Sequence, residues 1–505
     1  MAFTTYAAID IGSSKISMKI YELSGTKGIR ELSLIRHPLA LGADVYTNGS
    51  LSYQTTQEIC RTLNDFKRIM NDFDVDECQV YTTSGIREAK NSGIVIDQIK
   101  LQTDFDIKPL SNSEARFLYF KALAMKEESF HEMIENGTLI VDIGGGSVQL
   151  SIFDKGTLCI TQNLLLGSTR IQELLHVMED KAYDFNDLID EYVEKDLTYF
   201  QKIYLSKTKI KNVIVIGDLI PELYHKAKPE GHTKSSLLFS KKTMKKALHF
   251  SFGTNERTQL VTPTIILCRK IADITGCHEL TFSNVDFCDG MAAEMAEKKL
   301  KYKLKHDFTK DILTASENIA RKFMTDMDHV ENVQVLALQI FDKIRKFHGL
   351  GKRERLLLQI SVILHSCGIY IDSIDARECA YRIIMSSEII GLSHKERVMI
   401  ANIVRYNSSA FPSYAALNED FSKEEYITVI KLNCILRIAN VLDKSNRHKI
   451  HNISVSIKDD QLIVTADTMT DITLEQGLFD HKAVAFQNVF GVKPVLRQKR
   501  SGKRG

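Results

Sequence analysis

Two stretches of the chain share one pattern of apolar and polar positions. In LIVDIGGGSVQLSIFD, Leu139, Ile140 and Val141 form an apolar run, Gly144, Gly145 and Gly146 break it, and Val148, Leu150 and Ile152 then alternate. Strand-like patterning on both sides of a glycine turn predicts a hairpin. Ile9–Glu22, IDIGSSKISMKIYE, superposes on Val141–Asp154 without a gap. Asp10 falls on Asp142, Gly12 on Gly144, Ser13 and Ser14 on Gly145 and Gly146, and Ile20 on Ile152. Such repetition predicts two similar half-domains, each presenting its turn to a shared cleft. Glycines in that turn are expected to adopt positive φ and to expose successive amides as an anion nest, suited to phosphate.

The remaining pattern predicts α/β half-domains followed by helices. In the first half-domain, 1–137, it gives a strand at Leu34–Leu41, a helix at Tyr53–Phe73 capped by Thr55 or Thr56, and a strand at Cys78–Thr83. A helix at Gly93–Gln102, a strand at Asp106–Leu110 and a helix capped by Ser113 complete it. In the second, 138–305, the apolar run Asn212–Gly217 reads as a strand, Thr262–Thr275 as a helix and Glu279–Ser283 as the last strand. From 306 to 450, helical periodicity marks Val333–Phe347, Glu354–Cys367, Glu378–Ser387, Lys395–Tyr406 and Tyr426–Leu442. The segment 451–505 reads as a small α+β extension: a hairpin turning at Asp459 and Asp460, a helix at His481–Phe490, and a solvated basic tail, KPVLRQKRSGKRG. The expected fold class is α/β, with duplicated half-domains resembling the actin, Hsp70 and sugar-kinase (ribonuclease H-like) fold.

Composition narrows the function classes. The chain has 505 residues, enough for about three domains. Net charge is +2 from 66 basic and 64 acidic residues, which selects neither nucleic acid nor a membrane surface. Nine cysteines without a C-x-x-C pair read as reduced thiols. The opening MAFTTYAAIDIG lacks a basic region followed by an apolar core, and no apolar run approaches ~18–20 residues. The expected compartment is the cytoplasm.

Candidate chemistry joins the paired loops. Thr83–Arg87, TSGIR, follows a strand and opens a helix, so the amides of Ser84 and Gly85 and the planar fork of Arg87 suit phosphate oxygens. Glu114 lies in the first turn of a helix, where a carboxylate is also an ordinary cap. Asp142 ends a strand at the lip of the glycine turn, placed to hold Mg²⁺ or a water, and Gln149 shares a face with Ser147 and Ser151.

VDIGGGSVQL, IDIGSSKISMKI, TSGIREAKN, LSNSEARFLY and LHSCGIYIDSIDARECAYRIIMSSEIIGLS occur in this order, followed by LRIANVLDKS and FQNVFGVKPVL. Together they resemble the exopolyphosphatase and guanosine pentaphosphate phosphatase family across nearly the whole chain. The resemblance implies a helical domain like that of HD phosphohydrolases, removal of terminal phosphates from inorganic polyphosphate or pppGpp, Mg²⁺ and a homodimer. It assigns the catalytic base to Glu114 of Glu114-Ala115-Arg116 and a metal- or water-holding role to Asp142. Phosphate contacts fall on Gly12, Ser13, Ser14, Lys15, Ser84, Gly85, Arg87, Gly144, Gly145, Gly146 and Ser147. Metal ligands fall on Asp142 and Glu114, and weakly on Gln149 where the family commonly has glutamate. Gly217-Asp218-Leu219 replaces an expected Gly-Gly-Thr loop. In the helical domain Ser366, Glu378, Asn407 and Asn440 replace the usual ligands around His365, so no metal is expected there. Exopolyphosphatase is the leading expectation; a pppGpp 5′-phosphohydrolase and a catalytically weak polyphosphate- or alarmone-binding regulator are the alternatives.

Overall fold

The computed structural model describes residues 3–25, 28–39, 41–206, 208–250, 258–458 and 460–499. The chain divides into two compact units, Met1–Asp311 and Ile312–Gly505.

The first unit holds two sheets built on one plan. Strands β1 (Thr4–Ile11), β2 (Lys15–Ser24), β3 (Gly28–Pro38), β4 (Glu77–Thr82) and β5 (Ile107–Pro109) pair in the order β3-β2-β1-β4-β5. Strands β6 (Thr138–Ile143), β7 (Val148–Asp154), β8 (Thr157–Leu164), β9 (Asn212–Gly217), β10 (Ser236–Ser240) and β11 (Glu279–Ser283) pair as β10-β11-β9-β6-β7-β8. Read from the other edge, the second order repeats the first, with β10 added. The repeat extends to the turns. Gly12 N–H donates to Lys15 O at 3.0 Å, and Gly144 N–H to Ser147 O at the same distance. Asp10 stands opposite Ser17 in the first hairpin, and Asp142 opposite Gln149 in the second. Every residue of β6 is buried, as expected of a central strand covered on both faces. This is the actin-like arrangement.

One helix crosses the sequence boundary between the halves. Phe287–Leu300, opened by a capping box between Asp286 and Asp289, packs on β1, β2 and the helix Asn112–Lys126. Buried Asp289 receives hydrogen bonds from Lys19 Nζ (3.0 Å), Tyr21 Oη (2.8 Å) and Lys126 Nζ (2.6 Å). An unpaired carboxylate there would be costly, so this cluster fixes how the helix seats.

The second unit is helical, with Met327–Lys343, Lys352–Leu364, Ala376–Ser386, His394–Arg405 and Lys423–Val441 around one core. Strands β12 (Ile453–Lys458), β13 (Gln461–Asp467) and β14 (Lys493–Lys499) form a small sheet in the order β12-β13-β14. Leu462, Val464, Phe479 and Phe486 lie in the same buried cluster as Leu336, Ile360 and Ile435, so 451–499 shares the helical core.

Several local expectations are corrected. Ser52 caps the helix Tyr53–Asp72, accepting Thr55 N–H at 3.2 Å, in place of Thr55 or Thr56. Ser111 caps the helix expected to start from Ser113. The last helix begins at Thr473. The basic tail is a strand through Lys499, because buried Pro494 and Leu496 alternate along it opposite Leu462 and Val464. Asp460 takes the left-handed φ of 58° in the β12–β13 turn, while Asp459 lies outside the described residues. Among the described residues no helix is long and apolar enough to cross a membrane.

Candidate active site

The two hairpin tips meet. A cavity of about 50 Å³ lies between them, lined by Asp10, Asp142 and Asp218, by Gly144–Ser147, Thr83 and Ser84, and by Asn112, Tyr119 and Gln149. Its size is room for a few waters.

The glycines serve close approach. Gly12, Gly144, Gly145 and Gly146 all lie outside the positive-φ region, against the expectation from their turn positions. A Cβ on Gly145 would overlap Ser13 Oγ and stand 2.7 Å from Thr169 Oγ1. One on Gly146 would overlap Tyr46 Oη and stand 2.7 Å from Ser84 Oγ. The loops interdigitate, and side chains there would hold them apart.

Three carboxylates dominate the electrostatics. Asp142 is pushed up to about 7, first by burial and then by Asp218, with Arg116 pulling the other way. Asp10 lies well above the ordinary carboxylate range through burial and repulsion from Asp218 and Asp286, against Lys15. Its Oδ1 is buried with no hydrogen-bond partner. Tyr119 is held neutral by burial and by the field of Asp142, Asp218 and Asp10. Arg116, which is 1% exposed, donates to Gln149 Oε1 and Thr161 Oγ1 and supplies the positive charge that acts on Asp142.

The remaining predicted residues are deployed around this cavity. Glu114 does not line it: Oε2 accepts Ser111 N–H at 3.0 Å and Ser111 Oγ–H at 2.8 Å, and Oε1 lies 3.3 Å from Lys108 Nζ. Its neighbours Asn112 and Ala115 form the wall instead. Arg87 donates to Leu110 O (2.5 Å) and Asn112 Oδ1 (2.6 Å), fixing the approach to that helix. Buried Lys15 donates to the backbone oxygen of Asp218 at 2.8 Å and pairs with Glu222 at 3.5 Å. Ser84 Oγ lies 3.2 Å from Tyr46 Oη.

Three contributors were missed or undervalued in the sequence. Asp218 stands in the sequence only as a departure from an expected loop, yet Gly145 N–H donates to its Oδ2 at 3.0 Å. Asp10 was legible through the repeat as the twin of Asp142. Arg170 carried no motif; its Nε–H donates to Gly146 O at 2.8 Å, and its guanidinium lies 4.5 Å over the Tyr46 ring.

Comparison with known proteins bears on this site. The Ppx/GppA phosphatase family matches residues 20–216, and Ppx/GppA phosphatase domain III matches residues 313–487. The chain belongs to the Ppx/GppA phosphatase family. The Ppx/GppA match spans Ser84, Arg87, Glu114, Asp142, the 144–147 turn and Gln149. Among solved structures, an exopolyphosphatase from Cytophaga hutchinsonii superposes with a TM-score of 0.52 at 20% identity, over 59% of this chain and 99% of that one. The Ppx/GppA family member from Aquifex aeolicus gives a TM-score of 0.48 at 18% identity, over 59% and 99%.

A cation suits the donor set. Asp10 has a free buried oxygen, and Asp218 repels both Asp10 and Asp142. Among the described residues no three His, Cys, Asp or Glu side chains form a ready-made cage.

Proposed function

We propose that the first unit hydrolyses terminal phosphoanhydride bonds of inorganic polyphosphate. The observation that carries this reading is the meeting of the two repeated hairpins, which sets Asp10 and Asp142 on one cavity beneath interlocked glycine loops. The 50 Å³ space requires the tips to part for a terminal phosphate to enter between them. Ser13, Ser14, Ser84 and the amides of Gly144–Ser147 then line the entering group. Asp10 and Asp142 would hold Mg²⁺, which neutralises phosphate oxygens as charge develops on them.

Two carboxylates compete to accept the proton of the attacking water, a role typically worth about 10²–10⁴ in rate. Glu114 carries the family motif and acts only by releasing Ser111. Asp142 already lines the cavity, and with the cation held by Asp10 alone its carboxyl, raised to about 7 by burial, suits a base at neutral pH.

A second reading, a catalytically weak binder of polyphosphate or alarmone, is favoured by Asp218 on the Gly145 amide and Glu114 in its capping box. Phosphate release from long polyphosphate and from pppGpp, with Mg²⁺, separates the readings. Polyphosphate turnover lost in Glu114→Gln supports Glu114 as base. Turnover kept in Glu114→Gln and lost in Asp142→Asn supports Asp142. Preference for pppGpp turns the substrate assignment over, and binding without turnover supports the regulator.

A further inference from the structure

The second unit contains a larger cavity, about 690 Å³, between the start of Met327–Lys343 and the loops after Lys352–Leu364 and His394–Arg405. That volume falls among ligand sites, which run roughly 300–1,000 Å³. Its lining has three chemically distinct parts.

The wall is apolar. Phe323, Met324, Ile369, Tyr370 and Ile374 line it, and the Phe323 and Tyr370 rings meet edge to face at 6.0 Å. Tyr370 and Ile374 are 62% and 86% exposed, a large apolar area to leave at a cavity mouth.

The floor is polar and under-used. Asn407 is 7% exposed, yet its Oδ1 has no hydrogen-bond partner, and neither has Ser366 Oγ or Thr325 Oγ1. Buried polar atoms are normally paired, and the residues that carry these three line one space. Asn440 and Asn446 add amides that both donate and accept. His365 Nδ1–H is committed to Val362 O at 2.7 Å, and the ring is also hydrogen-bonded to the Asn440 side chain.

The third part is cationic. Arg377 and Lys444 line the cavity, and among the described residues neither forms an ion pair. With Arg437 they add to the burial that pushes Lys482 down, so the fields of three cations reach a fourth. Lys482 Nζ donates to the carbonyl of Ser408, a lining residue, at 3.2 Å. The acidic lining residue Asp326 is committed as the cap of Met327–Lys343, accepting His329 N–H at 3.2 Å.

We propose that this cavity binds a nucleoside phosphate, its phosphate at Arg377 and Lys444, its base against Phe323 and Tyr370 and amid Asn407, Asn440 and Ser366. A bare phosphate would use the cations and leave the wall and amides idle. An apolar ligand would leave two cations and three buried polar atoms unmet.

Met324 is a local reporter. Methyl-¹³C-methionine protein is titrated with ADP and with GDP in EDTA, which suppresses metal-assisted binding at the glycine loops, and the Met324 resonance is assigned with Met324→Leu. The expected result is a saturable Met324 shift with at least one nucleotide, retained in Asp142→Asn and weakened about tenfold or more in Lys444→Glu and in Arg377→Glu. Thermal melts check that both variants are folded, and Ser366→Leu, which fills the floor without touching charge, weakens the shift as well. No Met324 shift at millimolar ADP or GDP overturns the proposal. An equal shift with inorganic diphosphate overturns the nucleoside part, and a shift that survives Lys444→Glu, Arg377→Glu and Ser366→Leu overturns the location.

Discussion

The backbone amide of Gly145 donates to Asp218 Oδ2 at 3.0 Å, so a carboxylate of the protein itself sits on the loop proposed to cradle phosphate. Lys15 secures it by donating to the Asp218 backbone oxygen at 2.8 Å. The same carboxylate raises the pKa of both Asp10 and Asp142. Asp218 thus acts against an entering polyanion twice, by occupying a donor and by adding charge.

Removing it should help substrate binding. Asp218→Gly frees the amide and removes the charge, while Asp218→Asn removes only the charge. A hydrogen bond to a charged group contributes about 1.5–3 kcal/mol, so kcat/KM for polyphosphate should rise roughly tenfold in Asp218→Gly and less in Asp218→Asn. Steady-state phosphate release measures both, and unchanged kcat/KM in both variants would place substrate away from this loop.

The pH dependence of stability tests Asp142. Burial first, and Asp218 after it, hold its carboxyl at about 7 in the folded protein. The unfolded carboxyl titrates near ~3.9, so between about pH 4 and pH 7 the native state binds more protons than the unfolded one. This group's contribution therefore makes stability fall as pH rises through that window and level off above it. Asp142→Asn stays neutral throughout and should remove up to about 4 kcal/mol of that loss. Denaturant unfolding at about pH 4.5 and about pH 7.5 reads the difference between the two proteins. Parallel pH curves would mean that Asp142 ionises as an ordinary carboxylate.

Much of this site was legible because the repeat is local in sequence. A period-two pattern broken by glycines specifies a hairpin, and aligning the two copies pairs Asp10 with Asp142 before any fold is known. The role of Gly145 and Gly146 was not legible, since it depends on Ser13, Thr169, Tyr46 and Ser84 arriving from elsewhere. Glu114 shows the same limit. A Ser-x-x-Glu spacing serves a capping box and a catalytic motif alike, and local geometry gives the carboxylate to Ser111. Strand β10, SLLFS, offers too short an apolar run to stand out, and exists by pairing along β11. The strand at Lys493–Lys499 was hidden by its basic residues, whose side chains flank the two that face the core.

Gln149 sets the charge balance around Arg116. The guanidinium donates to Gln149 Oε1, and Gln149 stands directly opposite Asp142 in the β6–β7 ladder. Gln149→Glu gives Arg116 a full counter-charge and places a second carboxylate beside Asp142. Mg²⁺ affinity should rise about tenfold, read as a Mg²⁺-dependent increase in Tm at lower metal concentration. That increase should be smaller in Asp10→Asn and Asp142→Asn than in the unaltered protein. A Mg²⁺ response identical in all four proteins would remove the cation from this cavity.

The interlock of the two turns predicts opposite fates for neighbouring glycines. A Cβ on Gly144 meets Ser147 O at 3.5 Å, an ordinary contact, so Gly144→Ala should change stability by less than about 0.5 kcal/mol. A Cβ on Gly145 overlaps Ser13 Oγ and presses Thr169 Oγ1 at 2.7 Å, so Gly145→Ala should cost about 1–3 kcal/mol, as overpacking does. Ser13 is the repeat counterpart of Gly145, which permits a swap. Ser13→Gly removes the hydroxyl that the new methyl would strike, so the double variant should recover part of the loss through a favourable coupling. Denaturant midpoints for the two single variants and the double complete the cycle. Strictly additive losses would mean that the tips do not interdigitate, and the shared cavity between Asp10 and Asp142 would lose its physical basis.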